Sequence, residues 1–160
     1  MVLTDSYIMR LRQKVGSQLL LNPGGRAIVQ NHSGEILFHK RSDFNFWDLP
    51  SGGAEAGESA EQCIIRELYE ETGLIAESFE AIGFASDPER ELVTYPNGDI
   101  VQGFALILYI DRWSGNLQTS TESTAIKFFA INNLPEMRQN IRLTIDKFFD
   151  YQKSGKFQLF

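Results

Sequence analysis

The segment from Gly52 to Leu74 constrains the fold of this chain most strongly, because it joins a glycine-rich loop to a well-bounded helix. Ser59 can accept a backbone N–H in the first turn, and Gln62 can reach back to complete a capping box. Residues 60–72 contain no proline or glycine, and Gly73 favours the left-handed conformation that ends helices. The sequence therefore predicts a helix from Ala60 to Thr72.

This predicted helix has one acidic face. Glu67, Glu70 and Glu71 stand in i, i+3 and i+4 relation, so their carboxylates lie on the same side. Like charges at this spacing destabilise a helix, which favours a positive ligand beside them. Clustered carboxylate oxygens suit Mg²⁺ or Mn²⁺, whereas the alternative is an ordinary solvated surface. The opposite face would pack on a sheet through four apolar residues, Ile64, Ile65, Leu68 and Tyr69.

The complete spacing of the segment resembles the signature of the Nudix hydrolases. It reads Gly52, five residues, Glu58, seven residues, and then the run Arg66-Glu67-Leu68-Tyr69-Glu70-Glu71-Thr72-Gly73-Leu74. The resemblance implies a Nudix-type α/β/α sandwich with a mixed β-sheet between helices. It also implies hydrolysis, dependent on Mg²⁺ or Mn²⁺, of a pyrophosphate bond in a nucleoside diphosphate linked to another group. Nucleotide sugars, ADP-ribose, dinucleotides and nucleoside triphosphates are substrates of this type.

The same resemblance implies roles for single residues of the helix and its loop. Glu67, Glu70 and Glu71 would bind the metal ion, with Glu58 contributing directly or through water. Arg66 would orient Glu67, a candidate general base. Catalysis would therefore depend on Glu67, Arg66 and Glu70.

Two further metal ligands are expected outside the helix. The family commonly has Pro-Gly-Gly where this chain reads Pro50-Ser51-Gly52, so the carbonyl of Ser51 would replace a glycine carbonyl, with narrower backbone freedom. Glu122 lies in a polar loop, where many Nudix proteins place an extra acidic residue that binds metal or acts as base. The alternative for Glu122 is ordinary loop polarity.

Candidate substrate-binding residues precede the helix. Arg41 ends the basic run His39-Lys40-Arg41, and it either meets a substrate phosphate or is solvated at a strand end. Phe44 and Phe46 lie in or beside a polar loop, so among the aromatic residues they are the candidates for stacking on a base, whereas the alternative is that they join the core. The one cysteine and two histidines form neither a zinc set nor a Cys-His pair by spacing, and both histidines are expected to be structural or exposed.

The rest of the sequence predicts a single domain spanning residues 1–160. Its 42% hydrophobic content is sufficient for one core. Residues 1–14 form an arm that lies over the domain or over a partner, and a homodimer is one arrangement that allows this. A tight turn is expected at Tyr95–Asp99 and a closing helix at Asn140–Tyr151. Strands are expected at Arg26–Gln30, Glu35–Lys40, Phe79–Ala85, Gln102–Ile110 and Ala125–Ala130.

Composition and charge restrict the remaining classes of function. A net charge of −6 argues against binding of a nucleic acid polymer, and the absence of an 18-residue apolar run or signal peptide argues against a membrane protein. A single cysteine fits the reducing cytoplasm. The expected partner is a small nucleotide-type molecule. Two rival hypotheses are a catalytically silent nucleotide-sensing module, which would be expected to lack box carboxylates, and an isomerase that uses the same metal fold.

Overall fold

The computed structural model describes residues 5–160. Within these residues the helices are α1 (Tyr7–Val15), α2 (Ala60–Thr72), α3 (Pro88–Glu91) and α4 (Gln139–Ser154). The strands are β1 (Leu20–Val29), β2 (Ile36–Arg41), β3 (Trp47–Asp48), β4 (Ser51–Gly53), β5 (Leu74–Ala85), β6 (Leu92–Thr94), β7 (Ile100–Gly115), β8 (Ser123–Phe129) and β9 (Gln158–Leu159). None of the helices in this part of the chain is long and apolar enough to cross a membrane.

The strands form two sheets. The larger sheet is mixed and has the order β4-β1-β7-β5-β9, with β6 paired to β7. Its central strands β1 and β7 are parallel, from Leu20 opposite Val101 to Val29 opposite Ile110. The smaller sheet is antiparallel, in the order β3-β2-β8. Helices flank the sheets, so the predicted α/β/α class is confirmed, and the second sheet is an addition to it.

Alternating residues of β1 separate two hydrophobic clusters. Ala27 and Val29 pack in one cluster with Ile64 of α2, whereas Ile28 packs in the other with Ile145 of α4. All five side chains have no exposed surface. Successive side chains of a strand point to opposite faces, so β1 lies between the two long helices and fixes α2 against the larger sheet.

Helix α2 has the predicted bounds and caps. Ser59 accepts the backbone N–H of Gln62 at 3.1 Å, and Gly73 closes the helix in the left-handed conformation with φ of 80°. The expectation that Tyr69 is buried is wrong, because this residue is 58% exposed. The helix instead turns Glu71 inward, where it is only 3% exposed. The buried side of α2 therefore includes one member of the acidic face.

Several elements are longer than the sequence predicts. Strand β1 begins before Arg26, and β5 begins directly after the cap of α2, because pairing with β7 continues along both strands. The turn at Tyr95–Asp99 joins β6 to β7 as predicted. Residues 1–4 of the predicted arm lie outside the described residues. The rest of the arm includes α1, which contacts the loop before α2 of its own domain.

Candidate functional site

A cavity of about 190 Å³ lies where β1, β4 and α2 meet. The loop before β8 and the residues before α4 form another side of it. Three of the four glutamates expected to bind metal, Glu67, Glu70 and Glu71, line this cavity together with Ser51, Arg41 and Glu122, whereas Glu58 does not. The fold thus brings most of the candidate residues to one place, although they come from distant parts of the sequence.

Three carboxylates within the cavity form a compact acidic cluster, which consists of Glu67, Glu71 and Glu122. One oxygen of each lies within 4.8 Å of the others. Burial raises the pKa of Glu67 to about 7 and raises that of Glu71 well above its usual range. Burial and then the charge of Glu70 raise the pKa of Glu122. Burial disfavours the charged form of these carboxylates, and a hard divalent cation beside them would favour that form. The oxygens of this cluster therefore fit Mg²⁺ or Mn²⁺.

Arg66 connects the loop glutamate with two glutamates of α2. Its guanidinium donates to Glu58 at 2.5 and 3.0 Å, to Glu67 at 2.8 Å and to Glu70 at 3.2 Å. These bonds hold the pKa of Glu58 below its usual range. A contact between Arg66 and Glu67 is present, and the role of Arg66 in orienting Glu67 stays a prediction. Glu70 and Glu58 lie beside Arg66 and are not members of the acidic cluster.

Two residues of strand β4 lie against members of the acidic cluster. A Cβ atom at Gly52 would lie 2.1 Å from Oε1 of Glu67, so only glycine leaves room for that carboxylate. The backbone N–H of Ser51 donates to Oε2 of Glu71 at 2.9 Å. The observed contact of Ser51 is made by its N–H group, and metal binding by its carbonyl stays a prediction.

His39 lies directly behind the acidic cluster, and the sequence pattern does not reveal this. The ring is 1% exposed, and its Nδ1 lies 2.7 Å from Oγ of Ser123 across the β2–β8 pair. Its Nε2 lies 3.3 Å from Oε2 of Glu71 but without hydrogen-bond geometry. Burial lowers the pKa of His39. A neutral imidazole therefore packs against the back of the Glu71 carboxylate.

The expected substrate-binding residues are separated by the structure. Phe44 lies between two guanidinium groups, with Arg41 at 5.3 Å and Arg138 at 5.1 Å from its ring centre. Arg41 and Arg138 both line the cavity. Phe44 and Phe46 are both half-buried, and neither is among the residues that line it. Sequence analysis did not identify Arg138, because its position near Phe44 depends on the start of α4 packing against the β2–β3 loop.

A buried ion pair forms another part of the cavity wall. Arg26 of β1 is 7% exposed and Glu91 of α3 is 2% exposed, and their side chains make two hydrogen bonds, one of 3.0 Å. Arg26 also donates to Oγ1 of Thr144 at 3.2 Å. This pair joins the larger sheet, α3 and α4 beside the cavity.

A sequence model of the NUDIX domain matches residues 21–151. The chain belongs to the Nudix family. It is 33% identical over 106 residues to an ADP-ribose pyrophosphatase from Methanocaldococcus jannaschii. This alignment covers 64% of this chain and 59% of the relative. The chain is 46% identical over 66 residues to a putative 8-oxo-dGTP diphosphatase from Bacillus subtilis, with 41% and 44% covered. The chain thus spans about half the length of these curated relatives.

Solved structures agree with this Nudix assignment at the level of the fold. The NUDIX domain of Shewanella oneidensis NrtR, solved with ADP ribose, matches with a TM-score of 0.67 at 16% identity, and 87% of this chain and 92% of that one are covered. An ADP-ribose pyrophosphatase from Streptococcus suis matches with a TM-score of 0.63 at 18% identity, with 88% and 98% covered.

Proposed function

We propose that this Nudix protein hydrolyses a pyrophosphate bond in a nucleoside diphosphate linked to another group. The acidic cluster of Glu67, Glu71 and Glu122 is the observation that carries this proposal. Its oxygens converge in a cavity that also presents arginines. An anionic substrate needs positive charge beside these carboxylates, which a divalent ion supplies. The named activities of the relatives from M. jannaschii and B. subtilis belong to the same reaction class.

The residues around the cavity fit Mg²⁺ or Mn²⁺. Glu67, Glu71 and Glu122 would hold the ion, and Glu70, Glu58 and the Ser51 carbonyl are the further candidates from the sequence. When bound, such an ion lowers the pKa of a water molecule and neutralises charge on the phosphoryl oxygens. Glu70 and Glu58 also fix Arg66 from two sides, which restrains its planar group.

Glu67 is the residue best suited to accept a proton. Without a bound ion, burial raises the pKa of Glu67 to about 7; a divalent ion beside it would lower that pKa, so that the carboxylate would be ionised at neutral pH, as a proton acceptor must be. Arg66 donates to its Oε1 and so restricts the rotation of the carboxylate. Gly52 leaves space for this position. We therefore assign proton transfer to Glu67 and orientation of Glu67 to Arg66.

The arginines beside Phe44 would bind the anionic part of the substrate. Arg41 and Arg138 both reach the cavity, and guanidinium groups suit phosphate oxygens. Phe44 packs against both guanidinium groups, and its stacking on a base of the substrate stays a prediction. The net charge of −6 favours a small molecule over a nucleic acid polymer as the substrate, and the single cysteine favours a cytoplasmic location. ADP-ribose is the first substrate to examine, since it is named in the descriptions of the similar proteins from M. jannaschii, S. suis and S. oneidensis.

The test is a hydrolysis assay with purified protein. ADP-ribose, nucleotide sugars, dinucleoside polyphosphates and nucleoside triphosphates are compared in Mg²⁺ and Mn²⁺, and labelled water locates the attacked phosphorus. We expect turnover that Glu67→Gln abolishes, with Glu77→Gln as the control because that side chain is 44% exposed. Metal-dependent binding of ADP-ribose with no turnover of any compound would identify a binding module instead. Full activity of Glu67→Gln would refute the assigned role.

A further inference from the structure

Helix α1 is attached to the loop before α2 through both carboxylate oxygens of Glu55. The backbone N–H of Tyr7 donates to Oε1 at 2.7 Å, and Nη2 of Arg10 donates to Oε2 at 3.0 Å. The Glu55 side chain is 15% exposed, so water has limited access to this contact. The side chain of Glu55 therefore caps the first turn of α1 from a different part of the chain.

The backbone of the same residue holds Glu58. The N–H of Glu55 donates to Oε2 of Glu58 at 2.9 Å, and the N–H of Glu58 donates to the Glu55 carbonyl at 3.1 Å. Glu58 in turn accepts two bonds from Arg66, whose guanidinium also donates to Glu67. A continuous series of hydrogen bonds thus leads from α1 through Glu55 to the carboxylate of Glu67.

The opposite end of α1 is attached to the β6–β7 hairpin. Arg12 is 8% exposed and donates to the carbonyls of Gly16 and Ile100, each at 3.0 Å. Its Nε lies 3.5 Å from Asp99 in the turn. Ile8, between these two attachments, lines the cavity. Because α1 is held at both ends, it can restrain the loop that it contacts.

We propose that Glu55 is a positioning residue, which uses α1 as a fixed support to set the place of Glu58 and Arg66. This inference rests on the proposed roles of Arg66 and Glu67. Groups that orient ligand side chains commonly change metal affinity or activity by about 10- to 100-fold when removed. A surface ion pair that serves only stability contributes little, and its loss would leave the properties of the cavity unchanged.

Three variants separate these two roles. Glu55→Ala removes both oxygens and with them the whole contact, Arg10→Gln removes only the ion pair, and the double variant tests whether the two changes act through the same contact. Glu61→Gln is the matched control, because it removes a charge from an exposed position in the first turn of α2. The melting temperature, the Mn²⁺ dissociation constant without substrate, and kcat and KM with ADP-ribose are measured for each.

We expect Glu55→Ala to weaken Mn²⁺ binding and lower kcat by about tenfold, with little change in KM. Arg10→Gln should lower both by about threefold, as expected for loss of a half-exposed charge contact. The double variant should be no worse than Glu55→Ala, because both changes act through one contact. Glu61→Gln should match the wild type.

Wild-type Mn²⁺ affinity and kcat in Glu55→Ala, or a change in melting temperature alone, would overturn the positioning role. The proposed function would survive that result, because the wild-type protein would still bind Mn²⁺ and hydrolyse substrate. If the wild-type protein itself bound no Mn²⁺, the proposed function would fail first. Arg10→Gln keeps the test decisive if Glu55→Ala does not fold, since Arg10→Gln leaves the loop sequence intact.

Discussion

Replacing Glu67 by glutamine should stabilise the metal-free protein while removing its activity. Burial raises the pKa of Glu67 from 4.5 to about 7, so the folded protein binds this proton more tightly than the unfolded chain does. The contribution of Glu67 therefore makes the folded state less stable as pH rises from about 4.5 to 7. Glutamine has no charge to bury and can still accept a bond from Arg66.

The expected gain follows from the size of the pKa change. A shift from 4.5 to about 7 corresponds to about 3 kcal/mol of unfavourable free energy once the group is fully ionised. At pH 8, Glu67→Gln should raise the free energy of unfolding by up to about 3 kcal/mol and the melting temperature by about 6 to 12 °C. At pH 4.5 the two proteins should differ by little, because the folded wild type then carries a neutral carboxyl group.

Urea unfolding in the presence of a chelator at pH 4.5 and pH 8 measures both differences. Glu77→Gln, at an exposed position, should change stability equally little at the two pH values. Added Mn²⁺ should stabilise the wild type much more than Glu67→Gln at pH 8. A gain of the same size at both pH values, or no gain at pH 8, would contradict the conclusion that burial of Glu67 opposes its ionisation.

Three other substitutions test the supports of the site. Gly52→Ala should lower activity at least tenfold, because its Cβ would displace the Glu67 carboxylate, and kinetic assays with a melting curve separate this from unfolding. Ser59→Ala should lower the free energy of unfolding by about 1 kcal/mol through loss of the capping box, and an unchanged urea midpoint would contradict this. Arg26→Met should cost about 3 to 5 kcal/mol by leaving Glu91 buried without its partner, and Arg26→Met combined with Glu91→Leu should recover much of that loss in urea unfolding.

Local sequence patterns predicted helix α2 to the residue. Ser59, Gln62 and Gly73 act within one or two turns of the chain, and their capping chemistry does not depend on the rest of the fold. The i, i+3, i+4 spacing likewise placed Glu67, Glu70 and Glu71 side by side. The inward rotation of Glu71 could not be derived in this way, because it depends on how α2 packs on the larger sheet.

Contacts between residues that are far apart in the sequence could not be predicted from the sequence alone. His39 meets Ser123 only because β2 pairs with β8 in one particular register, and a single sequence carries no marker for that register. Arg138 contacts Phe44 and Glu55 contacts Arg10, and in both pairs the two residues are likewise far apart in the sequence. Glu122 was identified through the family resemblance, yet its distance from Glu67 became visible only in the folded chain.

The parallel pairing of β1 with β7 has a consequence for the order of events in folding. Leu20 and Val101 are neighbours in the sheet but lie far apart along the chain, and such long loops close slowly. Glu122 follows β7 in the chain, so it can join Glu67 and Glu71 only after β7 has been made. During synthesis on the ribosome, the carboxylates of α2 emerge well before their third partner. A nascent chain should consequently gain high affinity for manganese late, and a ribosome-bound fragment that stops before residue 122 should lack it.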